Sequence, residues 1–424
     1  MADLHDAEAD VIAVPGVDAR RWPDVATVPD SPVRAAVARQ IFRRAAQRLP
    51  LRVQEPDGRS YGGGSSLDPQ LVLHRPQSFF QRIGATGTIG FGEAYMAGDW
   101  SSDDLAGVLT AFASHIRELV PAALQRLRHA VLSRMPESQD NTVEGARANI
   151  HHHYDLSNEL FKNFLDESLT YSSAVFNGDP QTSDEPLAVA QRRKIDRLLD
   201  CAGVTAGSRV LEIGTGWGEL ALRAAGRGAD VTSLTISTEQ AQLARERIAA
   251  AELPGRADVL LEDYRAARGR YDAVVSVEMI EAVGANHWEE YFGAIDRLLV
   301  PGGRLGLQAI LQDDETVRAT RDTYTWIRKY IFPGGQIASP EAIERTIGAG
   351  TALRITDRFH FGQHYAETLR RWRSRFESRA SQIASLGFDE TFRRMWSLYL
   401  AYSEAGFRSG YLDVAQFTMV KATA

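Results

Sequence analysis

From residue 187 onward the apolar positions alternate between two rhythms. Apolar residues three and four apart predict helices over 187–201, 219–227, 239–251 and 287–299. Between them lie short, nearly continuous apolar runs at 210–213, 230–234, 258–261, 271–277 and 303–309, the pattern of strands buried on both faces. Strands that alternate with helices predict an α/β fold with a mostly parallel sheet covered on both sides. Pro301-Gly302-Gly303 reads as a turn closing the last of these helices. Residues 312–410 read as a largely helical, aromatic-rich insertion before a final strand at 415–420.

The N-terminal part has a different texture. Residues 32–49 predict a helix and 103–113 another. Short strand-like runs between 51 and 76, broken by Gly62-Gly63-Gly64, predict hairpins. Together these make a small α+β domain over 31–135, preceded by a loose Pro/Asp/Ala-rich segment, 1–30. The polar stretch 136–146 reads as a linker to a second domain, 147–424.

Strand 210–213 runs straight into Gly214-x-Gly216-x-Gly218 and then a helix start. Glycines permit torsions closed to other residues and let a ligand approach the main chain, while the helix offers its free N–H groups. A dinucleotide fingerprint would need glycine at 219, where Glu219 stands. Glu212, just before the turn, would repel a pyrophosphate but suits the cationic amino-acid end of S-adenosylmethionine. These residues favour S-adenosylmethionine over a dinucleotide, with a glycine turn that holds no ligand as the bland reading. Ligands in such sheets bind at the carboxyl ends of the strands, which puts the glycine turn, Thr235–Ser237, Asp263 and 278–284 on one rim.

Composition narrows the class. The chain has 424 residues, 44% hydrophobic and 24% charged, as in soluble globular proteins. No apolar run is long enough for a membrane span, and the acidic start MADLHDAEAD lacks the apolar core of a leader, so the cytoplasm is the expected compartment. The lone Cys201 excludes an internal disulfide and a cysteine-cluster metal site. A net charge of −7 argues against a nucleic-acid partner. Two basic amphipathic stretches stand out, Arg117–Arg134 and Arg370–Arg379, the latter with Trp372 and Phe376. Either suits an anionic membrane surface, although a solvated helix face explains such a pattern as well. His151-His152-His153 lacks the carboxylate–histidine spacing of a metal site, so no metal is expected.

Several stretches are distinctive together: HHHYDLSNELFKNFLDESLTYSSAVF (151–176), VLEIGTGWGELA (210–221), LTISTEQ (234–240), EMIEAVG (278–284), YIFPGG (330–335), HYAETLRRW (364–372) and GYLDVAQFTMVK (410–421). On these the chain resembles the cyclopropane fatty acid synthase and mycolic acid methyltransferase family. GFGEAYMAGDW (90–100) resembles the extra N-terminal domain of the full-length synthases. The resemblance implies a class I S-adenosylmethionine methyltransferase, Rossmann-like, that methylates the cis double bond of a lipid acyl chain. It implies that Tyr171 and Ser172 line the cofactor pocket and that Gly214, Gly216 and Gly218 admit the methionine moiety. Thr235 and Gln240 would hold the ribose, and Asp263 and Tyr264 would flank the adenine; a strand-end cap is the plainer role for Asp263.

An isolated alkene is a weak nucleophile, so a positioned electrophile and dry surroundings carry much of the chemistry. Methyl transfer leaves a carbocation, which aromatic faces and carboxylates stabilise. The run 324–332 with Phe359, Phe361 and Tyr365 is the expected aromatic wall. In the family a bicarbonate ion acts as base, held by a cysteine, a glutamate, a histidine, a backbone group and a tyrosine. By position the glutamate is Glu281, the tyrosine Tyr365 and the backbone contact Ile310. Here Ser173 replaces the cysteine, Gln308 the histidine, and Ala282 the histidine that usually follows the glutamate. The resemblance thus implies an altered anion site without imidazole, which puts bicarbonate in question. A changed base suits a 10-methylene product over a cyclopropane. The implied partners are unsaturated phospholipid acyl chains, an anionic membrane surface at the cytoplasmic face, a flavin- or nicotinamide-dependent reductase acting on the product, and a second copy of the chain. A methyltransferase of soluble small molecules and a non-catalytic lipid-binding relative are the competing readings.

Overall fold

A computed structural model describes residues 14–116 and 157–423, apart from 254 and 322. The basic stretch Arg117–Arg134, the linker 136–146 and His151-His152-His153 lie outside the described residues. The chain divides into two compact units. The first takes residues up to 134 together with 324–326 and 387–405, and the second takes 135–323, 327–386 and 406–424. The expected insertion 312–410 is therefore not a single block of the second domain.

In the N-terminal unit, β1 (Arg52–Gln54) and β2 (Ser60–Tyr61) form the expected hairpin. The next strand, β3 (Gln70–Leu73), pairs with β1 in parallel, so the hairpin reading holds only for the first pair. β4 (Trp100–Ser101) closes the sheet against β3. The glycine-rich run between forms two helices, Pro76–Thr86 and Thr88–Ala97, separated at Gly87 with φ of 61°. A side chain at Gly92 would collide with the Trp326 indole, which explains one glycine and seats Trp326 in this unit. Residues 14–30 are not loose as expected. Val25 is buried, and the buried guanidinium of Arg82 donates to the carbonyls of Asp24 (3.0 Å) and Val25 (2.6 Å) while pairing with buried Asp99. A buried cation without partners would be costly, so this bonding ties the segment down.

The second unit is built on seven strands: β5 (Arg209–Ile213), β6 (Asp230–Thr235), β7 (Arg256–Leu261), β8 (Tyr271–Val277), β9 (Leu299–Leu311), β10 (Leu353–His360) and β11 (Asp413–Lys421). Their spatial order is β7-β6-β5-β8-β9-β11-β10. The first five are parallel, and β11 runs antiparallel between β9 and β10. This is the α/β architecture expected, with one strand more. β10 escaped sequence reading because it is an edge strand, largely exposed and carrying Arg354, Asp357 and Arg358 instead of an apolar run. Pro301-Gly302-Gly303 is no turn. It is a bulge inside β9, where pairing jumps from Tyr271↔Leu299 to Ala273↔Arg304 and Gly302 adopts φ of 78°.

Successive strand residues face opposite sides. Leu211, Ile213, Val274, Leu305 and Leu307 pack under helix Trp288–Leu298 through Tyr291 and Ile295. Val210, Val231, Ala273 and Val275 pack on the other face against Leu198, Leu220 and Ala224 from helices Leu187–Cys201 and Glu219–Gly226. The two covered faces hold the parallel strands level, so their carboxyl ends form a common rim.

The Arg370–Arg379 stretch lies on helix Gly362–Ser378 and does not present a free basic apolar face. Trp372 and Phe376 are buried, Arg370 and Arg371 both pair with Glu367, and Arg371 also donates to the carbonyls of Ser183 and Glu185.

Candidate active site

The rim encloses a cleft of about 1210 Å³, its open mouth included. Of the predicted cofactor positions, Tyr171, Ser172, Gly214, Gly216, Thr235, Gln240, Asp263 and Tyr264 line it. Gly218 does not. With φ of 90° it caps helix Glu219–Gly226, and a side chain there would press on Ala244 at 3.2 Å. Gly214 (φ 95°) has the Met279 side chain within 2.6 Å of where a Cβ would sit, whereas Gly216 (φ 52°) faces open space. The turn therefore bares its main chain to the cleft, a cradle that side chains would fill.

Around that cradle the polar groups are preset. Thr235 Oγ1 donates to Gln240 Oε1 at 2.9 Å. Asp263 both lines the cleft and caps its strand end: Arg265 N–H donates to Oδ1 at 2.9 Å and the Arg265 guanidinium to Oδ2 at 3.0 Å. Glu212 is buried beneath the glycines and accepts from Ser233 Oγ at 2.5 Å. Desolvation pushes its carboxyl up to about 8, only partly opposed by that bond. A cationic ligand end beside this buried carboxyl would draw it back toward its ionised form, so the two suit each other, and the donor set fits S-adenosylmethionine.

The predicted anion ring takes a form that sequence reasoning missed. Three of its donors, on Ser173, Gln308 and Tyr365, converge on Glu278, and the fourth, the Ile310 N–H, serves Glu281. Ser173 N–H donates to Glu278 Oε1 at 3.0 Å, Gln308 Nε2 to the same oxygen at 2.8 Å, and Tyr365 Oη to Oε2 at 2.6 Å. The Ser173 hydroxyl turns away to the Ala174 carbonyl, so Ser173 contributes its backbone alone. The donors assigned to bicarbonate thus serve two carboxylates of the chain itself, three on Glu278 and the Ile310 N–H on Glu281. Glu278 lines the cleft at the carboxyl end of β8. Its backbone has φ of 52°, in the left-handed region that costs a non-glycine residue ~1–2 kcal/mol. Its own N–H, bonded to the Gln308 carbonyl at 2.8 Å, helps to hold it there. Burial pushes the Glu278 carboxyl up, while Lys194, Tyr365, Ser173 and Gln308 pull it back. A carboxylate ending an apolar strand on the functional rim was the signal available in sequence.

Glu281 lies apart from this ring, with Oε1 accepting from Ile310 N–H at 2.5 Å and Oε2 buried without a hydrogen-bond partner. Desolvation and the neighbouring Glu278 raise its pKa to about 8. Lys194, also unforeseen, is fully buried and donates from Nζ to Ser172 Oγ at 2.6 Å. Desolvation lowers its pKa to about 8, against the attraction of Glu278 and Asp166. Gln416 on β11 completes the support: its Nε2 donates to Gln308 Oε1 at 3.0 Å, and Arg197 donates to its Oε1 at 2.8 Å. With its oxygen so occupied, Gln308 must turn its NH2 toward Glu278.

The aromatic wall is also not where the sequence suggested. None of residues 324–332 lines the cleft, and Trp326 is a core residue of the N-terminal unit beside Met96. Phe359 stacks on Phe361 and carries the Arg197 guanidinium at 4.0 Å. Tyr365 alone of that set reaches the ring. Tyr171, at the cleft, is backed by Phe161 (5.3 Å), Phe164 (6.0 Å) and Trp372 (5.4 Å), and Phe407 packs on Tyr365 at 4.4 Å. Among the described residues no group of three or more His, Cys, Asp or Glu is placed to hold a metal.

The family profile described as mycolic acid cyclopropane synthetase matches residues 141–417. Tuberculostearic acid methyltransferase UfaA1 of Mycobacterium tuberculosis is 54% identical over 411 residues, covering 96% of both chains. Cyclopropane-fatty-acyl-phospholipid synthase of Escherichia coli is 32% identical over 358 residues, 82% of this chain and 87% of the relative. The crystal structure of mycolic acid cyclopropane synthase CmaA1, complexed with S-adenosylhomocysteine (SAH) and CTAB, superposes with a TM-score of 0.59 at 31% identity, covering 65% of this chain and 98% of that one. With this sheet order, this glycine cradle and these matches, the chain belongs to the mycolic acid cyclopropane synthetase family of class I S-adenosylmethionine methyltransferases.

Proposed function

We propose that this protein methylates the cis double bond of an unsaturated acyl chain in membrane phospholipid and releases a 10-methylene chain, with Glu278 as the resident base. The carrying observation is the Glu278 carboxylate, on the cleft and held by Tyr365, Ser173 and Gln308 where an external anion was expected. The similarity to a tuberculostearic acid methyltransferase supports the same product branch.

The main chain at Gly214 and Gly216, the pair Thr235–Gln240, the Asp263–Tyr264 edge and Glu212 would hold S-adenosylmethionine, which supplies an electrophilic methyl group. Once the alkene has taken that methyl, the adjoining acyl carbon is cationic. Glu278 and the Tyr171 face stabilise this charge, and the apolar lining keeps water away. A hydride shift moves the charge to the methyl-bearing carbon. A C–H bond of the new methyl then breaks: its electron pair becomes the exocyclic double bond, and its proton passes to a Glu278 oxygen. The raised pKa of a buried carboxyl makes Glu278 a better base than an exposed one.

A separate flavin- or nicotinamide-dependent reductase would convert the methylene to a methyl branch with two electrons and two protons. The place of action is the cytoplasmic face of the membrane, by peripheral attachment. No described helix is long and apolar enough to cross a membrane.

The test is mass spectrometry and NMR of lipids from cells that express the chain and are supplied with an unsaturated phospholipid. A gain of one CH2 with vinylidene protons is expected. The same gain with upfield cyclopropane protons overturns the methylene assignment, and no gain overturns the methyl transfer.

A further inference from the structure

Helix Pro32–Ala46 carries apolar residues on its outer face. Val33, Val37 and Ile41 recur every fourth residue and so form one stripe, and they are 77%, 55% and 50% exposed. The opposite face anchors the helix. Phe42 and Ala46 are buried, and the Phe42 ring meets Phe79 at 5.3 Å and Phe80 at 5.8 Å, both edge-on. Between residues 31 and 50 the sequence has Arg34, Arg39, Arg43, Arg44 and Arg48 and no acidic residue, against the overall charge of −7. Arg43 is engaged by Glu55 at 2.7 Å and Arg39 lies over Phe80 at 4.8 Å, while Arg34 and Arg44 are exposed on the helix beside the stripe and Arg48 is exposed in the turn that follows it.

We propose that this face is the membrane-docking surface, seated in an anionic bilayer with Val33, Val37 and Ile41 among the upper acyl carbons and Arg34, Arg44 and Arg48 on lipid phosphates. An aliphatic stripe flanked by arginines matches a surface that is apolar below and anionic above, the arrangement of an interfacial helix. A second copy of the same face is a poorer occupant, because symmetric pairing would bring three exposed arginines from each copy together with only the exposed Asp30 at the helix start to offset them. Of the two stretches expected to dock, Arg370–Arg379 buries its aromatics, and Arg117–Arg134 lies outside the described residues. The choice of a bilayer rests on the acyl-lipid reading above.

Co-sedimentation of the full chain with vesicles tests the proposal, comparing phosphatidylcholine alone with phosphatidylcholine plus phosphatidylglycerol. The wild type should bind the anionic vesicles and release them as salt is raised. Charge reversal by Arg34→Glu, Arg44→Glu and Arg48→Glu should weaken binding on the order of a hundredfold or more, from roughly one kcal/mol per arginine near the surface. The set Val33→Ser, Val37→Ser and Ile41→Ser should weaken it at every salt concentration. Cofactor binding by calorimetry and methylation of detergent-dispersed phospholipid should stay at wild-type levels in both variants. Wild-type vesicle binding by both variants overturns the proposal. So does a serine variant that loses a dimer yet still binds vesicles, which would make the stripe a self-interface. Failure of the wild type to methylate dispersed phospholipid would remove the acyl-lipid reading, while vesicle binding would still decide the docking surface.

Discussion

Tyr365 donates its phenolic hydrogen to Glu278 Oε2 across 2.6 Å, joining helix Gly362–Ser378 to the end of β8 over 87 residues of sequence. Glu278→Gln keeps the size and most of the hydrogen bonding but cannot take a proton. Turnover should fall about 100-fold or more while cofactor affinity changes little. Tyr365→Phe, which loses one bond to the carboxylate, should cost on the order of tenfold. Single-turnover assays with calorimetry check both. A Glu278→Gln enzyme with wild-type turnover would remove Glu278 as the base.

Glu281 should behave differently. Its pKa of about 8 keeps it largely protonated at neutral pH, and its Oε1 only accepts from Ile310 N–H. Glutamine presents the same acceptor without the charge. Glu281→Gln should therefore lower turnover less than about tenfold near pH 7, in contrast to the role given it by resemblance. A loss as large as that of Glu278→Gln would return Glu281 to the chemistry.

Lys194 sets the charge beside Glu278. Its ammonium draws the Glu278 pKa down, against the upward push of burial. Lys194→Met removes that attraction, so less Glu278 is ionised at a given pH. The acidic limb of the kcat profile should shift to higher pH. An unmoved limb with lowered turnover would mean that Lys194 only packs and holds Ser172.

Gln416 acts through another residue. By occupying Gln308 Oε1 it fixes which end of that amide faces Glu278. Gln416→Leu frees the amide to flip and set its oxygen against the carboxylate. A drop in kcat of roughly tenfold is expected, with KM and cofactor affinity little changed. A rise in KM with kcat intact would mark a packing role.

Glu212 links the site to stability. Its carboxyl titrates near 4.5 when unfolded and at about 8 when folded, so between these values the folded chain holds more protons. The favourable contribution is complete below about 4.5 and is lost as pH rises through about 8. Glu281 contributes in the same sense. Glu212→Gln should flatten the fall in Tm between pH 5 and pH 9, and it should stabilise the protein most at the alkaline end. Parallel curves for wild type and variant would show that Glu212 does not titrate in that range.

The second unit's sheet was legible because its central strands are covered on both faces. Burial demands the apolar runs of β5, β6, β8 and β9, and the helices between them must show a period near 3.6. The glycine turn was legible because its positive φ angles exclude most side chains. β10 was not, since an edge strand with charged outer positions carries no such demand. The bulge in β9 was read as a turn because proline and two glycines signal either.

The sequence by itself determined the α/β order, the position of the cofactor cradle and the residue types available for acid–base work, because each is written in local periodicity or backbone freedom. Only the tertiary structure decided which carboxylate collects the Ser173, Gln308 and Tyr365 donors. Glu278 and Glu281 stand three residues apart on one rim, and no local pattern separates them. The choice is made by donors 105, 30 and 87 residues away, on Ser173, Gln308 and Tyr365, which strand pairing and helix packing carry to one of the two and not the other.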